Sequence, residues 1–266
     1  MILHFNYFYN KIHPKNIDDF FYFLLKIGMI IIIRLLIKLQ IFNMKSSFDK
    51  TWDSVYFKKK AINQFPFSDF VSFFFNTFKK NSKLNILEIG CGSGNNLEFL
   101  AKLGHNVYGI DASKEIIKIA KKKFLEQNLD GNFTQSEFTK LPYDDNFFDL
   151  IIDRASICHT DIQNAKIAIN SCNRVLKPGS VMYSTLFTNF NSFKATKIDE
   201  GFYKNFVEGF KNIGQLKFYN SFESKELFEK NNFIITKLFL LEKKDMLSTP
   251  TDITSEWILH LTKIIK

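Results

Sequence analysis

Cysteine is scarce in this chain. Cys91, Cys158 and Cys172 make an odd set with no CxxC pair and no metal-ligand spacing, which excludes a disulfide framework or a zinc site as the organising element. No metal is therefore expected, and a reducing, cytoplasmic compartment fits best. Internal repeats are lacking, so a solenoid or propeller is excluded. No small-residue cleavage site follows the apolar amino-terminal region, which argues against a secretory signal. Nor is there a concentrated basic patch. The formal net charge is +9, but its densest runs, Lys58-Lys59-Lys60 and Lys121-Lys122-Lys123, fall on or beside predicted helices as solvated faces. Neither is interleaved with the aromatic and glycine pattern of an RNA-binding sheet, so nucleic acid is not an expected partner.

What is present is a globular composition. Hydrophobic residues make up 45% and charged residues 24% of 266 residues, enough apolar content to bury a core. The 32 phenylalanines accompany many lysines, isoleucines and asparagines, all AT-rich in codon usage, so a Phe stripe reads first as core. Residues 20–42 carry the most apolar run. Lys26, Arg34 and Lys38 interrupt it, falling at about 0°, 80° and 120° on a helical wheel and hence on one face. That suits an interfacial helix touching a membrane surface better than a span; a reading frame that truly opens at Met44 is the plainer alternative. The expected organisation is a hydrophobic extension over 1–43 and one domain over 44–266.

From Lys45 onward, short β-like runs alternate with longer helical ones, the pattern of a parallel sheet covered by helices. The periodicity predicts helices over 53–61, 67–79, 114–126, 162–176 and 224–230. It predicts strands over 85–89, 106–110, 132–135, 147–153 and 181–187, with a final pair over 233–241 and 256–262. Ser113 stands where a helix N-cap belongs. Lys177-Pro178-Gly179 is a turn signal. Residues 189–220 have no clear period and read as an insertion or lid.

The segment Leu87-Glu88-Ile89-Gly90-Cys91-Gly92-Ser93-Gly94 puts glycines at alternate positions between a strand and a helix, where backbone can approach a ligand closely. A dinucleotide fingerprint would want its third glycine at 95; this chain has Asn95. Glu88 at the mouth of such a loop suits a cationic ligand and repels a pyrophosphate, which favours a sulfonium amino acid. Asp111, 17 residues after Gly94 at the end of the second strand, is placed to accept hydrogen bonds from both ribose hydroxyls.

Glu88-x-Gly-x-Gly-x-Gly, Asp111, the segment 137–142, Asn146-Phe147-Phe148-Asp149 and Arg174-Val175-Leu176-Lys177-Pro178-Gly179 form an ordered set over about 83–187. That set resembles the class I S-adenosylmethionine-dependent methyltransferases, especially the small-molecule "type 11" group. The resemblance implies an α/β, Rossmann-like fold: a seven-stranded, mostly parallel sheet with helices on both faces and the last strand antiparallel. It implies S-adenosyl-L-methionine as cofactor, bound by Glu88, Gly90, Cys91, Gly92, Gly94, Asn95, Asp111, Ala112 and Asp153. By position, Glu137 falls near the adenine amino group and Phe138 beside the ring.

The segment Asp153-Arg154-Ala155-Ser156-Ile157-Cys158-His159 follows the fourth strand. Class I enzymes place residues facing donor and acceptor there. His159 and Asp153 are the catalytic candidates, His159 as a neutral imidazole that takes the acceptor's proton or as a plain pocket-lining residue. Trp52, Tyr56, Arg154 and His159 are the substrate candidates, with 44–82 expected as an amino-terminal cover. The expected activity is methyl transfer to O or N of a small molecule, glycan- or lipid-linked if the amino-terminal helix is an anchor. Two alternatives stay open: a nucleotide-dependent oxidoreductase and a non-catalytic S-adenosylmethionine-binding module.

Overall fold

The computed structural model describes residues 28–30, 32, 46–58, 62–78, 82–210, 213–248 and 252–265. The chain divides into two compact units, 1–46 and 47–266. In the first unit the described residues are short helical pieces over 28–30 and at 32, so the expected interfacial helix over 20–42 lies almost wholly outside the described residues. Among the described residues, no helix is long and apolar enough to cross a membrane.

The second unit begins with helices α1 (Thr51–Phe57) and α2 (Ser68–Thr77). Strand β1 (Asn85–Ile89) then leads through the glycine loop into α3 (Asn95–Lys102). Next come β2 (Asn106–Asp111), α4 (Lys114–Glu126), β3 (Asn132–Gln135) and β4 (Phe148–Arg154). A 3₁₀ turn at Ile157–His159, α5 (Ile162–Val175) and β5 (Leu176–Phe187) follow. The chain continues through β6 (Lys194–Asp199), β7 (Phe202–Glu208), β8 (Leu216–Lys217) and α6 (Ser221–Glu229). It ends on β9 (Phe233–Asp245) and β10 (Asp252–Lys263).

The main sheet has seven strands in the order β3-β2-β1-β4-β5-β10-β9. Pairs from β3 through β5 are parallel, and β10 runs antiparallel to both β5 and β9, as the family resemblance implied. The strands are apolar on both faces because helices cover both. In β1, Ile86 packs with Leu150, Ile152, Tyr183 and α2, while Leu87 and Ile89 point to the opposite core with Ile151, Met182 and α5. The Phe stripe is core on α2: Phe70, Phe73 and Phe74 are buried, and Phe73 sits 4.9 Å from the Tyr183 ring.

Three local expectations are corrected. Ser113 occupies the N-cap position of α4, but its hydroxyl makes no cap bond; it donates instead to Asp53 at 2.6 Å. The Lys177-Pro178-Gly179 turn does not separate helix from strand. Leu176 already pairs with Phe148, and the next β4 pair, Leu150 with Val181, leaves the turn as a bulge inside β5, with Gly179 at φ +74°. Residues 189–220 are regular, not aperiodic: β6, β7 and β8 form a second, three-stranded sheet. Register shifts within β6–β7 broke the period-2 alternation that would have marked it. Its aromatic side chains collapse together, with Phe193 stacked on Phe218 at 4.4 Å. The start of α6 was also legible and overlooked: Asn220 and Glu223 form a reciprocal capping box, which starts the helix at Ser221.

Candidate active site

The chain reverses direction across the sheet between β1 and β4, and in open α/β sheets ligands bind at the carboxyl ends of the strands flanking that switch point. Glu88, Asp111 and Arg154 are the residues at or beside those ends. A cavity of about 330 Å³ opens there, lined by Glu88, Gly90, Cys91, Gly92, Asn95, Asp111, Ala112, Glu137, Phe138, Arg154 and His159. Trp52 and Tyr56 of α1 close it. Gly94 and Asp153 are not among its lining residues.

The glycine loop is held against the segment after β4. Gly90 has φ +60°, and a Cβ there would lie 2.2 Å from the Ser156 hydroxyl oxygen. That hydroxyl donates to the carbonyls of Ile89 at 3.0 Å and Gly90 at 3.3 Å, stapling the ends of β1 and β4 together.

Glu88 is 2% exposed. Its Oε1 accepts from Asn96 Nδ2 at 2.6 Å, while Oε2 has no hydrogen-bond partner. Burial pushes its pKa up to about 8, helped by the charges of Asp153 and Asp111 and opposed by the Asn96 bond and Arg154. Asp111 is engaged on both oxygens: Oδ1 accepts Ser113 N–H at 2.9 Å and Oδ2 accepts Gly92 N–H at 3.2 Å. Each oxygen keeps a second lone pair for a ligand. Burial raises its pKa to about 6, against the two backbone bonds and with Asp53 adding.

Glu137 Oε2 accepts from both the backbone and the hydroxyl of Ser47, each at 2.7 Å. Arg154 is neutralised by Glu256 at 2.7 Å, bonds Thr185 Oγ1 at 3.0 Å and lies over the Phe67 ring at 4.1 Å. His159 Nδ1 is 3.2 Å from the Gln215 carbonyl, and the Trp52 ring meets it edge-on at 4.8 Å. Burial depresses the His159 pKa to about 4, opposed by the Gln215 carbonyl and the Asp49 charge, so the imidazole is neutral at physiological pH.

Asp153 does not reach the cavity. It is fully buried, and its carboxylate accepts Ser184 Oγ at 2.6 Å, Ser156 N–H at 2.8 Å and Ile157 N–H at 3.2 Å. It shapes the turn that delivers His159. Asp153→Ala, which strands those three donors, is expected to cost about 2–5 kcal/mol in urea denaturation. A loss below about 1 kcal/mol would show that the carboxylate is dispensable to the turn.

Sequence reasoning missed Ser47, Asp49 and Phe187 and reached Asn63, Phe67 and Ile213 only as members of the cover and of the 189–220 segment; all six line the cavity. They come from the cover and from around the second sheet, which meet the site only through tertiary packing. Ser93 Oγ donates to Asn63 O at 2.7 Å, Asn95 Nδ2 to Phe65 O at 2.7 Å, and Phe67 N–H to Asn96 Oδ1 at 3.1 Å; these bonds tie the cover to the glycine loop.

Comparison with known proteins fits this geometry. Residues 87–184 match the family described as a methyltransferase domain. Over 113 residues the chain is 32% identical to a ubiquinone biosynthesis O-methyltransferase of Coxiella burnetii, covering 42% of this chain and 47% of the relative. Over this stretch the chain is thus similar to methyltransferase domains. A ubiquinone biosynthesis O-methyltransferase of Chelativorans is 33% identical over 100 residues, 38% of this chain and 39% of that one. The chain thus spans about half or less of the length of these curated relatives. The structure of a SAM-dependent methyltransferase from Methanosarcina mazei superposes with a TM-score of 0.63 at 21% identity, covering 76% of this chain and 100% of that one; it shares the fold of the methyltransferase domain.

The residues present fit the cofactor of that family. Glu88 offers an unpartnered buried oxygen to a cationic amino-acid moiety. Asp111 faces the cavity with free lone pairs for a ribose, and Glu137 and Phe138 line the part where an adenine would lie. A pyrophosphate fits poorly: of the lining residues Arg154 alone carries a fixed positive charge, and Glu256 already pairs it.

Proposed function

We propose that this protein transfers the methyl group of S-adenosylmethionine to an oxygen or nitrogen of a small-molecule acceptor, with oxygen favoured. The observation that carries the reading is the convergence, in one cavity, of a partnerless Glu88 oxygen, the Asp111 carboxylate and a neutral His159. The cofactor supplies a methyl group already activated by its sulfonium. The protein's part is alignment and exclusion of water, and positioning of this kind can lower a barrier by roughly 7–11 kcal/mol. Glu88 and Asp111 hold the donor, Trp52 and Tyr56 close over it, and His159 takes the proton of an acceptor hydroxyl. Phe48, Phe67, Phe187 and Ile213 line the same cavity and suit an apolar or flat acceptor. The names of the relatives, O-methyltransferases, support an oxygen nucleophile. A glycan- or lipid-linked acceptor would need the segment 20–42 as an anchor, and that segment is almost wholly outside the described residues.

Calorimetric titration of the full chain with S-adenosylhomocysteine and with NAD tests this reading. Micromolar binding of S-adenosylhomocysteine with no heat from NAD is expected; NAD binding in its place would install an oxidoreductase. Proton linkage adds a sharper signature. With its pKa near 8, Glu88 is mostly protonated at pH 7, and an ammonium docking on its carboxylate must expel that proton. Binding at pH 7 should therefore release roughly one proton, read from buffers of different ionisation enthalpy, and affinity should rise between pH 6 and 8. At pH 7 Asp111 and Asp153, each near 6, are largely ionised and add little to that release. Glu88→Gln should abolish the proton release; release that persists in the variant would locate the linkage elsewhere.

A further inference from the structure

Beside the Trp52 ring, the cover meets the candidate base through Asp49, which holds the backbone that faces it. Asp49 lies two residues before α1, on the cover. Its Oδ2 accepts Gln215 N–H at 2.8 Å, and the carbonyl of that same residue lies 3.2 Å from His159 Nδ1. Its Oδ1 accepts Thr51 N–H at 2.9 Å and its carbonyl accepts Trp52 N–H at 3.1 Å, which starts the helix that sets Trp52 against the His159 ring. From the other side, Gln215 Nε2 reaches back to the His159 carbonyl at 3.5 Å.

Gly214 makes the approach possible. A Cβ at 214 would lie 1.7 Å from Asp49 Oδ2 and 2.6 Å from its Cγ, so any larger residue evicts the carboxylate. No positive φ requires glycine there. The space for Asp49 is the reason for this glycine.

A backbone carbonyl can only accept, so the neutral imidazole facing it must carry its proton on Nδ1 and its lone pair on Nε2. We infer that Asp49 is a positioning residue: by gripping the backbone N–H of Gln215 it holds that residue's carbonyl against His159, fixes the tautomer and leaves Nε2 as the proton acceptor. This rests on the methyl-transfer reading for its purpose. In that reaction the acceptor O–H breaks, its proton goes to Nε2, the oxygen's electron pair forms the new O–CH₃ bond, and the C–S pair returns to sulfur as a neutral thioether. The wrong tautomer would present an N–H to the acceptor and could not take that proton. Because Asp49 belongs to the cover, the correct tautomer is set only when the cover is seated on the second sheet.

The tautomer is directly observable. The full chain holds five histidines; with ¹⁵N-histidine labelling, long-range ¹H–¹⁵N correlation at pH 7.5 separates Nδ1–H from Nε2–H rings, and His159→Gln identifies the signal. The ligand-free wild type should show His159 as Nδ1–H. Asp49→Ala and Gly214→Ala should each convert it to a mixture in which Nε2–H is the larger share, and the double variant should be no worse than either, since both remove one interaction. Asp49→Asn, which keeps one acceptor oxygen, should restore most of the Nδ1–H form and guards against misfolding of the alanine variant. A wild-type His159 already in the Nε2–H form, or a tautomer unmoved by both substitutions, overturns the inference. Failure of the wild type to bind S-adenosylhomocysteine is a separate result that removes the methyl-transfer reading, because the tautomer is read without ligand.

Discussion

Asp111→Ala is expected to weaken S-adenosylhomocysteine binding by roughly 10²-fold or more in calorimetric titration, with the protein still folded. Two ribose hydroxyls donating to an ionised carboxylate contribute about 1.5–3 kcal/mol each, and the same side chain anchors the N–H groups of Gly92 and Ser113. Its loss therefore removes ligand contacts and loosens the loop that shapes them. Asp111→Asn should fall between, since an amide keeps one acceptor oxygen but no charge. The pH dependence has a definite sign. Burial first, and the Asp53 charge after it, hold Asp111 near pKa 6 against its two backbone bonds. Below pH 6 it gains a proton and loses acceptor strength, so affinity should fall more steeply below pH 6 in the wild type than in Asp111→Ala, where the Glu88 linkage alone remains. Affinity of the alanine variant within threefold of wild type would remove Asp111 from the site.

Gly90→Ala is expected to be strongly destabilising for a single added methyl. The position has φ +60°, where an alanine costs about 1–2 kcal/mol, and the added carbon would sit 2.2 Å from Ser156 Oγ and 2.5 Å from Ser156 Cβ. Relief would require breaking the hydroxyl's bonds to the Ile89 and Gly90 carbonyls, and overpacking of this kind costs a further 1–3 kcal/mol or so. A combined loss of about 3 kcal/mol corresponds to a Tm lower by roughly 6–12 °C, with S-adenosylhomocysteine binding abolished. The companion variant Gly90→Ala with Ser156→Gly should recover much of the stability. A Tm within 2 °C of wild type for Gly90→Ala alone would show that the loop yields freely.

Strand and helix positions in the methyltransferase domain were legible because each is dictated locally. β1, β3 and the helix of α4 sit where apolar periodicity put them, and the glycine loop announces its own strand-to-helix turn. The departures have a common cause. Ser113 is a capping residue by type, yet Asp53, distant in sequence, offers its hydroxyl a better partner. Asp153 is a carboxylate at a strand end, the sort of place a ligand contact belongs, yet Ser184 of the neighbouring strand, with Ser156 N–H and Ile157 N–H, consumes it. The second sheet hides behind its own bulges, with no run long enough to betray a period of two.

The sequence by itself determined the α/β class, the ordered strands and helices of the domain, and the glycine loop and carboxylates, Glu88 and Asp111, that line one side of the cavity. Those features depend on spacing along one segment, and spacing is a property of the chain. Tertiary structure alone decided the rest: that Ser47 holds Glu137, that Arg154 is spent on Glu256 and Phe67, and that His159 meets Gln215 under the grip of Asp49. Each pairs residues dozens to more than a hundred positions apart. No local propensity encodes such a meeting; it exists only where the sheet brings the cover, the strand ends and the second sheet to one cavity.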